Sequence, residues 1–207
     1  MMADRPGLKT PGLHSIGNNL AIDFVNTRVA HSSTGGPLRN ADDVVAFLAE
    51  NGALTPGEAT AERRRLRDVA ASSRFMRRAI ALRNAIAGIL ERISAARQAA
   101  QADIAVLNAA LKSAAGYREL HRGAGARYAL AFRALNPDAT QALAPIARAA
   151  AELLTADRPP VRKCANAKCI IWFYDSSRTG RRRWCDMALC GNRAKVSAFQ
   201  QRQRSRV

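Results

Sequence analysis

Four cysteines carry the clearest chemistry in this 207-residue chain. Cys164 and Cys169 form one pair and Cys185 and Cys190 another, with four residues inside each pair and fifteen between the pairs. A tetrahedral four-thiolate metal site needs this kind of pattern. Each pair makes a tight turn that aims two sulfurs at one point, and the intervening segment returns the second turn to the first. Thiolates are the ligands, and nearby cations favour the thiolate form; Lys163, Lys168 and Arg183 lie close in sequence. Disulfides would need an oxidising compartment, and an iron–sulfur cluster would use the same four thiolates. We expect one structural zinc ion. Four protein sulfurs leave no open position for metal catalysis, and the ion would hold together a module too small to fold on its own core.

Charge segregates with the cysteines. The chain has a net charge of +17. Residues 161–207 carry twelve Lys or Arg against Asp175 and Asp186, a net of +10 in under a quarter of the length. The first 160 residues contain no cysteine. Two units are therefore expected, 1–157 and 158–207, joined near Asp157-Arg158-Pro159-Pro160, where prolines cannot continue a helix. Within the second unit, Ile170-Ile171-Trp172-Phe173-Tyr174 reads as a strand and Asp175 to Gly180 as a polar loop. Arg181-Arg182-Arg183-Trp184 leads into the second cysteine turn, and a helix is expected from about Asn192 to Arg204, with Asn192 as its cap. A metal-anchored hairpin followed by a helix at the second pair is a treble-clef-like arrangement.

Cys190-Gly191-Asn192-Arg193, with the other three cysteines and Trp184, resembles the CGNR zinc finger of a bacterial protein family. Upstream, Leu20-Ala21-Ile22-Asp23-Phe24-Val25-Asn26-Thr27 resembles the opening motif of the ABATE domain that accompanies this finger. The resemblance implies a stress-induced transcription regulator with a zinc-dependent nucleic-acid-binding end.

The first unit must position that end. The apolar segment at Leu20 is expected to be a helix capped by Asn18. Ser32 to Asn40 reads as a loop, and Asp42 or Asp43 opens a helix that stops at Asn51-Gly52. Pro56 starts a long helical stretch to about Ala96, with Leu66, Val69, Leu82, Ile86 and Ile93 at helical spacing and arginines opposite. Another helix spans Ala102 to Ala114. The period then changes to two. Tyr117 to Arg122 and Ala126 to Arg133 read as a half-buried hairpin turning at Gly123-Ala124-Gly125, and Asn136-Pro137-Asp138 caps a helix from about Ala139 to Ala156. The fold class is α+β: a mostly helical domain with a small antiparallel sheet, then the treble-clef-like module.

Function classes narrow accordingly. No stretch reaches the ~18 uninterrupted apolar residues of a membrane span, and residues 1–15 lack the apolar core of a secretory signal. A cytoplasmic protein, at the nucleoid if DNA-bound, is expected. No glycine-rich phosphate loop, nucleophile elbow or paired carboxylates appear, and His14, His31 and His121 stand in no catalytic or metal spacing. We expect no enzyme. Asp23, Asn26 and Arg28 lie in or beside an apolar segment, where a ligand pocket or a buried hydrogen-bond network would satisfy them.

Clustered arginine and lysine attract nucleic-acid phosphates by counterion release. The DNA-binding candidates are Arg178, Arg181, Arg182, Arg183, Arg193, Lys195 and Arg202, with Arg204 and Arg206 in a basic tail. The Arg181–Arg183 run would track phosphates, and the helix from Asn192 would enter a groove, with Arg193 or Lys195 reaching guanine edges. Trp172, Phe173, Tyr174 and Trp184 would form the module's small core or stack single-stranded bases. The leading expectation is a zinc-containing, DNA-binding transcription regulator, with the first unit sensing a small effector or forming a homodimer. The alternatives are an RNA-binding or ribosome-associated zinc protein, a small-molecule-binding protein or enzyme with a structural zinc module, or a module docking an acidic protein.

Overall fold

The computed structural model describes residues 16–28, 37–123, 127–135, 139–156 and 159–204. His14, His31, Arg206, most of the loop from Ser32, Gly123-Ala124-Gly125 beyond Gly123, Asn136-Pro137-Asp138 and Asp157-Arg158 lie outside these residues. The described residues contain seven α-helices and two small antiparallel sheets, and 59% of these residues are helical.

The helix α1 (Leu20–Asn26) is buried at all seven positions. A helix covered on every side must have its polar side chains satisfied within the fold, and the helices Val69–Ser94 and Ala144–Thr155 and the strand Trp172–Tyr174 all pack against it. Its cap is Asn19 rather than Asn18: the Asn19 side chain accepts from the Ala21 and Ile22 N–H groups. Asn18 instead takes φ +55° and donates to Ser176 Oγ. Helix α2 (Ala41–Glu50) opens with a capping box between Asn40 and Asp43 and closes at Asn51, followed by Gly52 at φ +68°.

The long helical stretch from Pro56 is two helices, α3 (Pro56–Arg65) and α4 (Val69–Ser94). Asp68 interrupts it by accepting from the Ala71 N–H and capping α4. Its short carboxylate offers the backbone an alternative to continued helix. α4 buries Phe75, Ala79, Leu82, Ile86, Ile89 and Leu90, a stripe at helical spacing that forms one wall of the main core. α5 (Gln101–Ser113) packs against α4. After the hairpin, a 3₁₀ turn (Ala139–Leu143) runs directly into α6 (Ala144–Thr155), which also lies against α1 and α5.

The hairpin pairs β1 (Gly116–Arg122) with β2 (Tyr128–Ala134), placing Leu120 opposite Leu130 and Arg122 opposite Tyr128. It is not half-buried as its alternation implies. Leu120, Tyr128 and Leu130 are 63%, 67% and 56% exposed. Alternation records which face is apolar, but no described element is laid over that face.

The finger strands β3 (Val161–Lys163) and β4 (Trp172–Tyr174) pair antiparallel. A π-helical turn (Met187–Gly191) passes into α7 (Asn192–Arg204). Asn192 has helical φ and ψ of −65° and −42°, so it begins α7 rather than capping it. Asp186 caps instead, accepting from the Leu189 N–H at 2.8 Å. Among the described residues, no helix is long and apolar enough to cross a membrane.

Candidate metal centre

The two cysteine turns converge. The four Sγ atoms lie within 4.8 Å of one another, and three of the four cysteines are buried. A tetrahedral Zn–S₄ centre with bonds of about 2.3 Å separates its sulfurs by about 3.8 Å. Cys169 Sγ and Cys185 Sγ are 3.7 Å apart. All four thiols are free, and a disulfide's sulfurs would be bonded at about 2.05 Å. Donor type, number and spacing therefore fit a structural zinc ion.

Local backbone chemistry builds each turn. In the first, Asn166 Oδ1 accepts from the Lys168 N–H, and the Cys169 N–H returns to the Asn166 carbonyl at 2.8 Å. The Cys164 N–H bonds the Ile171 carbonyl at 3.0 Å, which ties this turn to the hairpin. The second turn docks through the Ala165 N–H on the Arg183 carbonyl and the Cys185 N–H aimed at Cys164 Sγ, 3.5 Å away. Asn166 Nδ2 reaches Cys190 Sγ at 3.7 Å. N–H donors of this kind orient metal-bound thiolates and stabilise their charge. Asn166 thus links both turns. Sequence reading passed over it, although an Asn between two cysteines is a turn former by type.

The thiols respond unequally to the shared site. Burial pushes Cys185 well above the ordinary thiol range and Cys169 up to about 11. Burial also acts to raise Cys164, but backbone N–H groups of Cys185 and Asn166 outweigh it and hold that thiol below its usual value. Four crowded sulfurs cannot all ionise without a compensating cation, so metal binding is coupled to proton release.

Around the cluster, Ile16, Ile171, Phe173 and Trp184 form a small second core. The aromatic run therefore serves packing, with Phe173 and Trp172 buried. Gly191 lies where a Cβ would sit 3.2 Å from Trp184 Cδ1 and against Met187 Sδ. The glycine lets the chain pass the indole between the last cysteine and α7.

The basic candidates separate. Arg178, Arg181, Arg183, Arg193, Lys195 and Arg202 are exposed. Arg182 turns inward: its Nε donates to the Trp184 carbonyl at 2.9 Å, its Nη2 to the Cys185 carbonyl, and its guanidinium stacks 4.5 Å from the Phe173 ring. Asp175 fixes the same segment. Its carboxylate accepts from Ser177 N–H and Oγ–H, from the Arg182 N–H at 2.9 Å, and pairs with Arg162 at 3.1 Å. This buried hub at the head of a polar loop was invisible as such in the sequence, where it counted as one of two acids.

The polar residues of α1 are engaged by the fold. Asp23 Oδ1 accepts from the Gly17 N–H at 2.8 Å. Asn26 holds the Trp172 backbone from both sides, donating to its carbonyl at 2.8 Å and accepting from its N–H at 2.9 Å. Arg28 donates to Asn84 Oδ1. The structure thus favours the buried-network reading of Asp23 and Asn26. A cavity of about 230 Å³ lies elsewhere, between α4, α5 and the 3₁₀ turn, lined by Leu82, Val106, Ala110 and Leu143 with Arg78 and Thr140.

Two family models match in sequence. Residues 18–157 match ABATE, described as "Putative stress-induced transcription regulator", and residues 161–203 match the CGNR zinc finger. No curated protein matches the chain. The first match covers more than half of the sequence, so the chain belongs to the ABATE family, with a CGNR zinc finger following its ABATE domain.

Proposed function

We propose that the protein is a zinc-dependent transcription regulator that binds duplex DNA through its finger. The observation that carries this reading is the four-thiol cluster set at the base of an exposed, basic helix. One structural zinc ion, held by Cys164, Cys169, Cys185 and Cys190, fixes the start of α7. Arg193, Lys195 and Arg202 project from that helix, and Arg178, Arg181 and Arg183 from the loop before it. Such a set neutralises phosphates along a backbone while the first turn of α7 faces base edges. Arg182 serves the finger's own structure and is left out of the interface. The ABATE domain is the part that senses or dimerises, and neither part carries out catalysis.

The test is a competition at about 0.15 M salt, where surface charge is largely screened. Zinc-loaded protein on labelled genomic duplexes is challenged with random DNA and structured RNA. A fragment preferred by about a thousandfold supports a sequence-specific regulator. Preference for structured RNA, or uniform binding that disappears as salt rises, refutes it.

A further inference from the structure

Helix α7 displays a feature that phosphate binding does not use. Val196 and Phe199 are each 56% exposed on a helix whose other outward positions are mainly basic or amide. At a spacing of three they are neighbours on one helix face. Arg193 and Lys195 flank them. Ala194 and Ala198, four apart, are half-buried and mark the less exposed side of the helix. The exposed apolar pair therefore shares the exposed part of α7 with the cations.

We infer that Val196 and Phe199 determine sequence preference by contacting thymine methyl groups in the major groove. This rests on the DNA-binding reading above. In that groove only thymine presents a methyl, beside acceptors and donors that arginine and lysine read on guanine. Charge complementarity selects the occupant. A face ringed by Arg193, Lys195 and Arg202, with no acid between Asp186 and the last described residue, suits a polyanion with apolar spots. A helix placed by its cations on flanking phosphates brings the centre of its outward face to the base edges, and here that centre is apolar. The competing occupant is a protein with an acidic rim and an apolar centre.

The experiment compares two 20-base-pair duplexes, alternating d(A-T) and alternating d(A-U), with full-length zinc-loaded protein at about 0.1 M salt. The duplexes carry the same phosphates and pairing edges and differ by the thymine methyls. Each buried methyl contributes about as much as one methylene, equivalent to about fourfold in Kd. With one or two methyls engaged, d(A-T) binds about four- to fifteenfold more tightly. Val196→Ser with Phe199→Ser removes the preference, while Phe199→Leu, which remains apolar, keeps most of it. Both substituted positions are exposed, and zinc content with far-ultraviolet circular dichroism verifies the fold. Equal binding of the two duplexes by the unsubstituted protein overturns the inference and leaves the DNA-binding reading standing. A preference that survives the double serine variant overturns it too, since duplex shape then explains the difference. Failure to bind either duplex by protein that binds genomic DNA overturns the inference alone, and failure to bind genomic DNA as well removes the DNA-binding reading and this inference together.

Discussion

Replacing Asn26 by alanine should unfasten the finger from the helical domain. The Asn26 amide makes two hydrogen bonds to the Trp172 backbone, at 2.8 and 2.9 Å, in a site where both residues are buried. The alanine variant strands one N–H and one C=O there. Each stranded buried group costs about 1–3 kcal/mol, so the pair costs about 2–6 kcal/mol. That is a large share of the 5–15 kcal/mol typical of a folded domain. In a chain of this size each kcal/mol lowers Tm by about 2–4 °C, so a fall of about 5–20 °C follows. The loss extends to the metal centre, because β4 continues from Ile171, whose carbonyl holds the Cys164 N–H. Chelator should therefore strip zinc from Asn26→Ala several times faster than from the unsubstituted protein. Thermal unfolding by circular dichroism gives the first number, and a chromogenic zinc chelator gives the second. A Tm shift below about 1 °C with unchanged zinc release would refute the claim that this amide joins the two parts.

Three further outcomes are expected. Cys169→Ser should reduce bound zinc well below one ion per chain by elemental analysis, and full retention would remove Cys169 from the ligand set. Asp175 supplies a pH dependence: burial acts to raise its carboxyl, but the Ser177 and Arg182 donors and the Arg162 charge outweigh burial and hold it below the ordinary range. A carboxyl depressed on folding stabilises above its unfolded value and loses that contribution as pH falls through the folded one. Thermal stability should therefore drop below about pH 4, and Asp175→Asn should be less stable at neutral pH with a shallower acid decline; identical profiles would contradict this. Arg181→Ala with Arg183→Ala should weaken duplex binding and reduce the slope of log K against log salt by about 2, from about 0.9 per lost phosphate contact; an unchanged slope would take both residues out of the interface.

The parts legible in the sequence were those whose causes are local. Cysteine spacing and the span of α7 depend on residues within a few positions of each other, whereas the sequence placed Asn40 in the loop before α2 and not at its cap. The break between α3 and α4 was also local, yet the apolar period continues through it, and only Asp68 as a capping type marks the boundary. The Asn26–Trp172 clamp spans 146 positions and leaves no periodic trace. Arg182 looks like its neighbours in the triple-arginine run. Its inward turn follows from backbone carbonyls at Trp184 and Cys185 that need donors, a demand visible only once the second cysteine turn is closed. The hairpin shows the converse case, since alternation encoded an apolar face that the described fold leaves uncovered.

Ile16, before α1, belongs to the core around the cysteines, while Val161 and Trp172 belong to the core of the helical domain. The Tyr174 N–H also bonds the Gly17 carbonyl, 2.8 Å away. Each core thus borrows members from the far side of the sequence, and this has a consequence for synthesis. As the chain leaves the ribosome, the helical domain can gather α1 to α6 but must wait with an open seam at Asn26 until Trp172 emerges. The finger, when it arrives, finds Ile16 and Gly17 already in place. The seam therefore closes only after the finger strand is made, so the helical domain completes its core at that edge later than anywhere else.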